Sequence, residues 1–213
     1  APLVTVNGEA VAGVKPGAFC TIERAWKPGD EVSLRFPMEV SVSAGWDQNA
    51  AAVTRGPLLY ALKLAYEDQT VGSYEVPFEK RTVGDLNGFP RREIRATEPW
   101  NRALVLNARG GVDAEVETRD VPINPFEPGS APVSLKVKTF RTDFGGWGHT
   151  RDLLTARAVE PPPSPIAVEG AVQTAELVPM GATQVRIVLF PWARTYTNPV
   201  INAIGPADPD VLF

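Results

Sequence analysis

From Glu31 to Val42, polar and apolar residues alternate without a break. Val32, Leu34, Phe36, Met38, Val40 and Val42 fall on one side. Glu31, Ser33, Arg35, Pro37, Glu39 and Ser41 fall on the other. Successive side chains of an extended strand point to opposite faces, so the run predicts a half-buried antiparallel strand. Pro37 has no amide hydrogen, which places it at an edge, a bulge or a bend. The rest of the chain is cut to the same scale by 18 glycines and 21 prolines. Proline removes a backbone donor and glycine loses the most conformational entropy on folding, so long helices are excluded.

Further strands are predicted at Pro2–Val6, closed by the turn dipeptide Asn7-Gly8, and at Phe19–Trp26. Leu58–Leu64 is almost continuously apolar, as in a strand covered on both faces. Trp100–Leu106, Val112–Thr118, Ala131–Lys138, Glu176–Val178 and Thr183–Phe190 complete the set. Residues 66–95 are polar and read as an irregular connection. Asp152–Val159 is the one place for a helical turn, and Glu160–Pro165 reads as stiff polyproline. Many short strands with turn signals between them predict an all-β fold of antiparallel β-sandwich type.

The net charge is −4, so no basic excess is available to neutralise phosphates and nucleic acid is not an expected partner. No apolar run reaches the roughly 18 residues that cross a bilayer, and no membrane partner is expected. One cysteine cannot form an internal disulfide. The chain starts at Ala1 in what reads as mid-strand, with no signal segment. It is therefore expected to be a piece of a longer protein, and the compartment stays open.

Candidate chemistry is sparse. The single histidine, His149, follows Gly145-Gly146-Trp147-Gly148, a loop that could bind a ligand or simply cover surface. One histidine and one cysteine cannot build a tetrahedral zinc site without several carboxylates, so no metal and no cofactor is expected. Cys20 lies in a predicted strand and reads as a small buried hydrophobe. Asp30 reads as turn chemistry after Pro28-Gly29. Glu93, Glu98 and Asp113 read as solvated. A glycosidase pair needs carboxylates about 5–10 Å apart, which spacing along a chain does not supply. Of the five tryptophans, Trp26 and Trp100 sit at strand edges and are expected to pack. Trp46 and Trp147 lie in loops and are the candidates for stacking on a sugar, with His149 beside the second.

Several ordered segments go further. They are Val6-Asn7-Gly8; Phe19-x-x-Ile22-x-Arg24-x-Trp26-x-x-Gly29-Asp30-x-Val32-x-Leu34; Phe36-Pro37-Met38; and Arg55-Gly56-Pro57-Leu58-Leu59-Tyr60-Ala61-Leu62. Pro99-Trp100-Asn101-x-Ala103-Leu104, Asn124-Pro125-Phe126, Ala131-Pro132-Val133 and Leu177-Val178-Pro179-Met180-Gly181-Ala182-Thr183-x-Val185-Arg186-Ile187 follow. Together they resemble the C-terminal region of glycoside hydrolase family 127-type enzymes, the β-L-arabinofuranosidase-like group. The resemblance implies a large catalytic (α/α)6 barrel followed by two β-sandwiches, one partial and one complete in this chain. It divides the chain into residues 1–66, the end of a first sandwich, residues 67–197, the second, and residues 198–213, an irregular tail. The family's zinc-bound cysteine and acid/base glutamate belong to the barrel. None of those motifs occurs here, and Cys20 does not inherit the role.

The resemblance thus implies a non-catalytic accessory region, inactive alone, that braces the barrel or mediates dimerisation. Its partner would be the missing N-terminal barrel or a second copy of the chain. Two alternatives stand beside it: a carbohydrate-binding module for a plant-type glycan, using Trp46, Trp147 and His149, and an assembly domain pairing through an open sheet edge.

Overall fold

The computed structural model describes residues 2–75, 77, 80, 88–142, 160–168 and 170–194. Trp147, His149, the possible helical turn at Asp152–Val159 and the tail at 198–213 lie outside the described residues. Among those described, the chain is all-β, with antiparallel sheets and no α-helix. It divides into two compact units, Ala1–Glu39 and Val40–Phe213. The long alternating run is therefore split. Its first half forms β3 (Val32–Arg35) in one unit and its second half β4 (Val40–Ser43) in the other, with Phe36-Pro37-Met38-Glu39 between them. Proline at the break fits its missing donor. β6 (Leu58–Leu62) hydrogen-bonds to β12 (Gln173–Pro179), so residues on both sides of position 66 share one sheet.

The first unit is a three-stranded sheet of β1 (Leu3–Val6), β2 (Glu9–Ala10) and β3 (Val32–Arg35), in the order β2-β1-β3. Asn7 (φ 50°) and Gly8 (φ 83°) join β1 to β2. Both angles are positive, as a two-residue hairpin turn of matching twist requires. Val4 pairs with Leu34 and Val6 with Val32. The two β1 residues are buried, whereas Val32 and Leu34 are 49% and 56% exposed. No strand forms at Phe19–Trp26. The segment pairs with none of the three strands, although the outer edges of β2 and β3 are open in this sheet. Cys20 is exposed rather than buried, and Trp26 is half exposed, lying under the Arg24 guanidinium at 5.3 Å.

The second unit contains β4 (Val40–Ser43), β5 (Ala52–Arg55), β6 (Leu58–Leu62), β7 (Tyr66–Ser73), β8 (Pro90–Ala96) and β9 (Arg102–Leu106). After these come β10 (Glu115–Thr118), β11 (Val133–Arg141), β12 (Gln173–Pro179) and β13 (Trp192–Arg194). Eight of them form one sheet, ordered β13-β9-β11-β12-β6-β5-β4, with β10 also on β11. Every pairing is antiparallel except β13 with β9. The sheet curls. Phe190, two residues before β13, exchanges backbone hydrogen bonds of 2.8 and 2.9 Å with Ala51 beside β5. The chain therefore touches β5 and then β9, which stand far apart in the sheet order.

Thr183–Phe190 does not form the expected strand. The segment crosses the sheet instead of lying along it, bonding once to Leu62 through the Ile187 carbonyl before reaching Ala51. Its alternation is still used, since Val185 and Ile187 pack on the core. That core lies on the inner face of the curl and includes Val53, Leu62, Leu104, Leu135, Leu177 and Phe190. Burying such side chains contributes roughly 1.5–3 kcal/mol each. The outer face of β9 is covered too, by Phe140, Ala193 and the partly buried Ile166. This two-sided burial accounts for its nearly continuous apolar sequence. Trp100 packs on the core as expected. Tyr60 is fully buried, and its hydroxyl has no hydrogen-bond partner among the described residues.

Residues 66–95 hold more structure than their composition suggested. β7 and β8 pair along their length, with an irregularity between Thr70 and Gly72. Nearly every residue of the hairpin is exposed, so neither face carries the apolar alternation by which a strand is recognised.

Candidate functional site

Trp46 is the one sequence-chosen site residue among the described residues. It opens a 3-10 turn, Asp47–Asn49, between β4 and β5. Gln48 (φ 56°) and Asn49 (φ 54°) both take the left-handed conformation, at a cost of roughly 1–2 kcal/mol each. The turn is held from several sides. Asn49 Nδ2 donates to the Ser164 carbonyl at 2.9 Å, Ser164 N–H donates to the Gln48 carbonyl at 2.9 Å, and Trp192 Nε1 donates to the Asn49 carbonyl at 2.8 Å. Trp46 Nε1 donates to Ser43 Oγ at 3.1 Å, yet the side chain's residue stays 55% exposed. An anchored aromatic left open to water is chemically suited to stacking on the C–H face of a sugar.

A second place was not visible in the sequence. A cleft of about 620 Å³ lies along β12 and the chain continuing from β6. Leu62, Leu64, Ala175 and Leu177 alternate with Lys63, Thr174, Glu176 and Val178, and the core takes the first set. The groove follows the other face. Lys63 Nζ donates to Glu176 Oε2 at 2.6 Å near its middle. At one end the Glu98 carboxylate accepts the Ala65 N–H at 2.5 Å, beside Tyr66 and Arg102. Arg102 is fixed by Gln173 Oε1 at 3.2 Å. At the other end stand Arg119 and an apolar wall of Ala131, Val178 and Ala182. Burial raises the Glu176 carboxyl, but the Lys63 hydrogen bond and the Lys63 and Arg119 charges outweigh it and hold it below the ordinary glutamate value. Glu176 is therefore ionised at neutral pH.

The remaining carboxylates are structural. Glu93 pairs with Arg95 at 2.8 Å, and Asp113 accepts from Asn107 Nδ2 at 2.9 Å. Glu93, Glu98 and Asp113 are all exposed to solvent, as expected, and each also holds a hydrogen bond. Asp30 does serve a turn. It accepts from the Lys27 N–H at 2.8 Å, from Asn7 Nδ2 at 2.8 Å and from Arg24 Nη2 at 3.3 Å. Among the described residues, no group of three or more His, Cys, Asp or Glu could hold a metal ion. Spacing could have suggested none of the cleft residues, because Lys63 meets Glu176 across 113 positions of chain.

The sequence model of the beta-L-arabinofuranosidase GH127 middle domain matches residues 1–38. No curated protein matches the chain. Among solved structures, a GH127 beta-L-arabinofuranosidase from Geobacillus stearothermophilus T6 aligns over 92% of this chain and 25% of that one, at 19% identity and a TM-score of 0.46. The chain thus spans about a quarter of that protein's length. The matched residues coincide with the first compact unit, Ala1–Glu39. Over those residues, and over those alone, the chain is similar to the GH127 middle domain.

Proposed function

We propose that this chain is the non-catalytic accessory β region of a GH127-like glycoside hydrolase, and that its first unit docks against the catalytic barrel domain. The match over residues 1–38 carries this reading. The surface of the first unit supports it. Val32 and Leu34 are about half exposed, and Phe36, two residues on, is 62% exposed. Among the described residues the unit leaves about half or more of each of these residues open. Their strand, β3, ends the three-stranded sheet, so its outer backbone groups are also unpaired by that sheet. A half-open apolar face on an edge strand is what a docking surface requires. The test is twofold. The 213-residue chain should show no hydrolysis of an aryl β-L-arabinofuranoside above buffer, and the natural protein's intact mass should lie well above 23.0 kDa. Turnover by the isolated chain, abolished by heat, would overturn the proposal.

Trp46 favours a second reading, glycan binding. Its ring is exposed on a turn that three hydrogen bonds to other segments hold in place. Retarded migration in an arabinan-containing native gel, lost in Trp46→Ala, would support it.

A further inference from the structure

Three features of the second unit were candidates for a site: the Trp46 turn, the buried Tyr60 hydroxyl beside Arg55, and the cleft on β12. The cleft carries an inference furthest, because its volume, charge and fixed geometry agree. About 620 Å³ falls within the 300–1,000 Å³ typical of small-molecule sites. Its walls bear three cations, Lys63, Arg102 and Arg119, against two carboxylates, Glu98 and Glu176.

Both carboxylates are already committed. Glu176 is paired with Lys63, and Glu98 accepts a backbone N–H. The Lys63–Glu176 pair cancels and Glu98 keeps its charge near Arg102, so the net excess of one positive charge lies toward Arg119. Arg102 is oriented by Gln173. Arg119 has its main chain anchored by a 2.8 Å bond to the Pro132 carbonyl, but among the described residues no hydrogen bond ties down its guanidinium. A guanidinium is a planar fork that matches a carboxylate with two parallel hydrogen bonds. The opposite wall is apolar at Ala131, Val178 and Ala182, and Thr174 and Thr183 add hydroxyls. A ligand that fits must carry an anionic group, several hydroxyls and one apolar face.

We propose that this cleft binds a carboxylate-bearing saccharide of the uronic acid class, its carboxylate on Arg119. The choice of a saccharide among carboxylates rests on the glycoside hydrolase reading above; the charge argument stands without it. Thr174 to Val178 spans roughly 13 Å of strand at about 3.3 Å per residue, room for two sugar rings. The committed groups lose little freedom when a ligand arrives, which favours binding.

The test is calorimetric titration of the full chain with digalacturonic acid, with galactose and succinate as controls. Saturable binding is expected, weakening as salt is raised. Arg119→Ala should lower the affinity at least tenfold, and Arg119→Lys severalfold, since lysine keeps the charge but not the fork. The Arg119 side chain is exposed, so unchanged melting temperatures should confirm that both variants fold. No saturable binding of digalacturonic acid overturns the proposal, as does binding that Arg119→Ala leaves intact. Equal affinity for succinate overturns the assignment to saccharides. None of these outcomes bears on the docking face at Leu34 and Phe36, so the two proposals fail separately.

Discussion

Asn7 and Asp30 lie 23 positions apart, yet Asn7 Nδ2 donates to Asp30 Oδ1 at 2.8 Å. The same asparagine accepts the Glu31 N–H on its Oδ1 at 2.8 Å and donates its own N–H to the Glu31 carbonyl at 2.9 Å. A single side chain in a left-handed turn thus locks the β1–β2 hairpin to the entry of β3. Asn7→Ala removes two side-chain hydrogen bonds and leaves alanine at φ 50°. It should destabilise the first unit by about 1–3 kcal/mol. Hydrogen exchange at the amides of Leu3–Val6 would read this; unchanged protection would contradict it.

Asp30 adds an acid sensitivity to the same junction. The hydrogen bonds from Asn7 and the Lys27 N–H, with the charge of Arg24, hold its carboxyl below the usual 3.8. A depressed folded value means that the stabilisation is fully present above about pH 4 and is lost as pH falls through the folded value. Between pH 5 and 2, Asp30→Asn should show a shallower loss of first-unit protection than the parent chain. Parallel acid profiles would argue against the assignment.

Tyr60 offers a gain. Its hydroxyl is buried with no hydrogen bond of normal geometry among the described residues, and burial pushes its titration up against the lowering charge and hydrogen-bonding contact of Arg55. Tyr60→Phe keeps the ring and removes the unsatisfied group. Urea unfolding should show it neutral or up to about 1 kcal/mol more stable. A loss above about 1 kcal/mol would show that the hydroxyl has a partner in solution.

Phe190 and Phe126 test where the core ends. Phe190 is fully buried inside the curl, whereas Phe126 is 70% exposed against Gly181. Phe190→Ala should cost about 3–5 kcal/mol and Phe126→Ala less than about 1 kcal/mol, read as shifts in urea midpoint.

Leu34→Ser and Phe36→Ser test the docking face. Both residues are exposed in the first unit, so each substitution should leave its hydrogen-exchange protection within about 0.5 kcal/mol of the parent. Under the docking proposal, both should also weaken association of the first unit with the catalytic barrel domain. Loss of protection in the isolated chain would mark them as core instead.

Local pattern made much of this fold legible. Asn7-Gly8, Leu58–Leu62 and Arg102–Leu106 were readable because turn chemistry or two-sided burial leaves a mark within a few residues. β7 and β8 were missed because both their faces are wet. Thr183–Phe190 misled because alternation reports which face is buried, not whether a neighbouring strand runs alongside. The cleft was invisible for a different reason. Lys63, Glu98, Arg119 and Glu176 come from four separate segments, brought together by the pairings of β6 with β12 and β10 with β11 and by the Ala65 N–H bond to Glu98. Of the residues chosen for stacking, Trp46 proved open and anchored, while Trp147 and His149 lie outside the described residues.

The bridge between Ala51 and Phe190 also dictates an order of events. Its two halves lie 139 residues apart, and the pairing of β13 with β9 begins two residues beyond Phe190. On a ribosome, β4, β5 and β6 emerge long before the segment that closes their sheet. At roughly 5–20 residues per second, they wait many seconds with apolar surface uncovered. Contacts so distant in sequence fold slowly. The strands that close this sheet are thus the last of it to be synthesised, so a vectorially made chain exposes the β4–β6 edge until its C-terminal third is available.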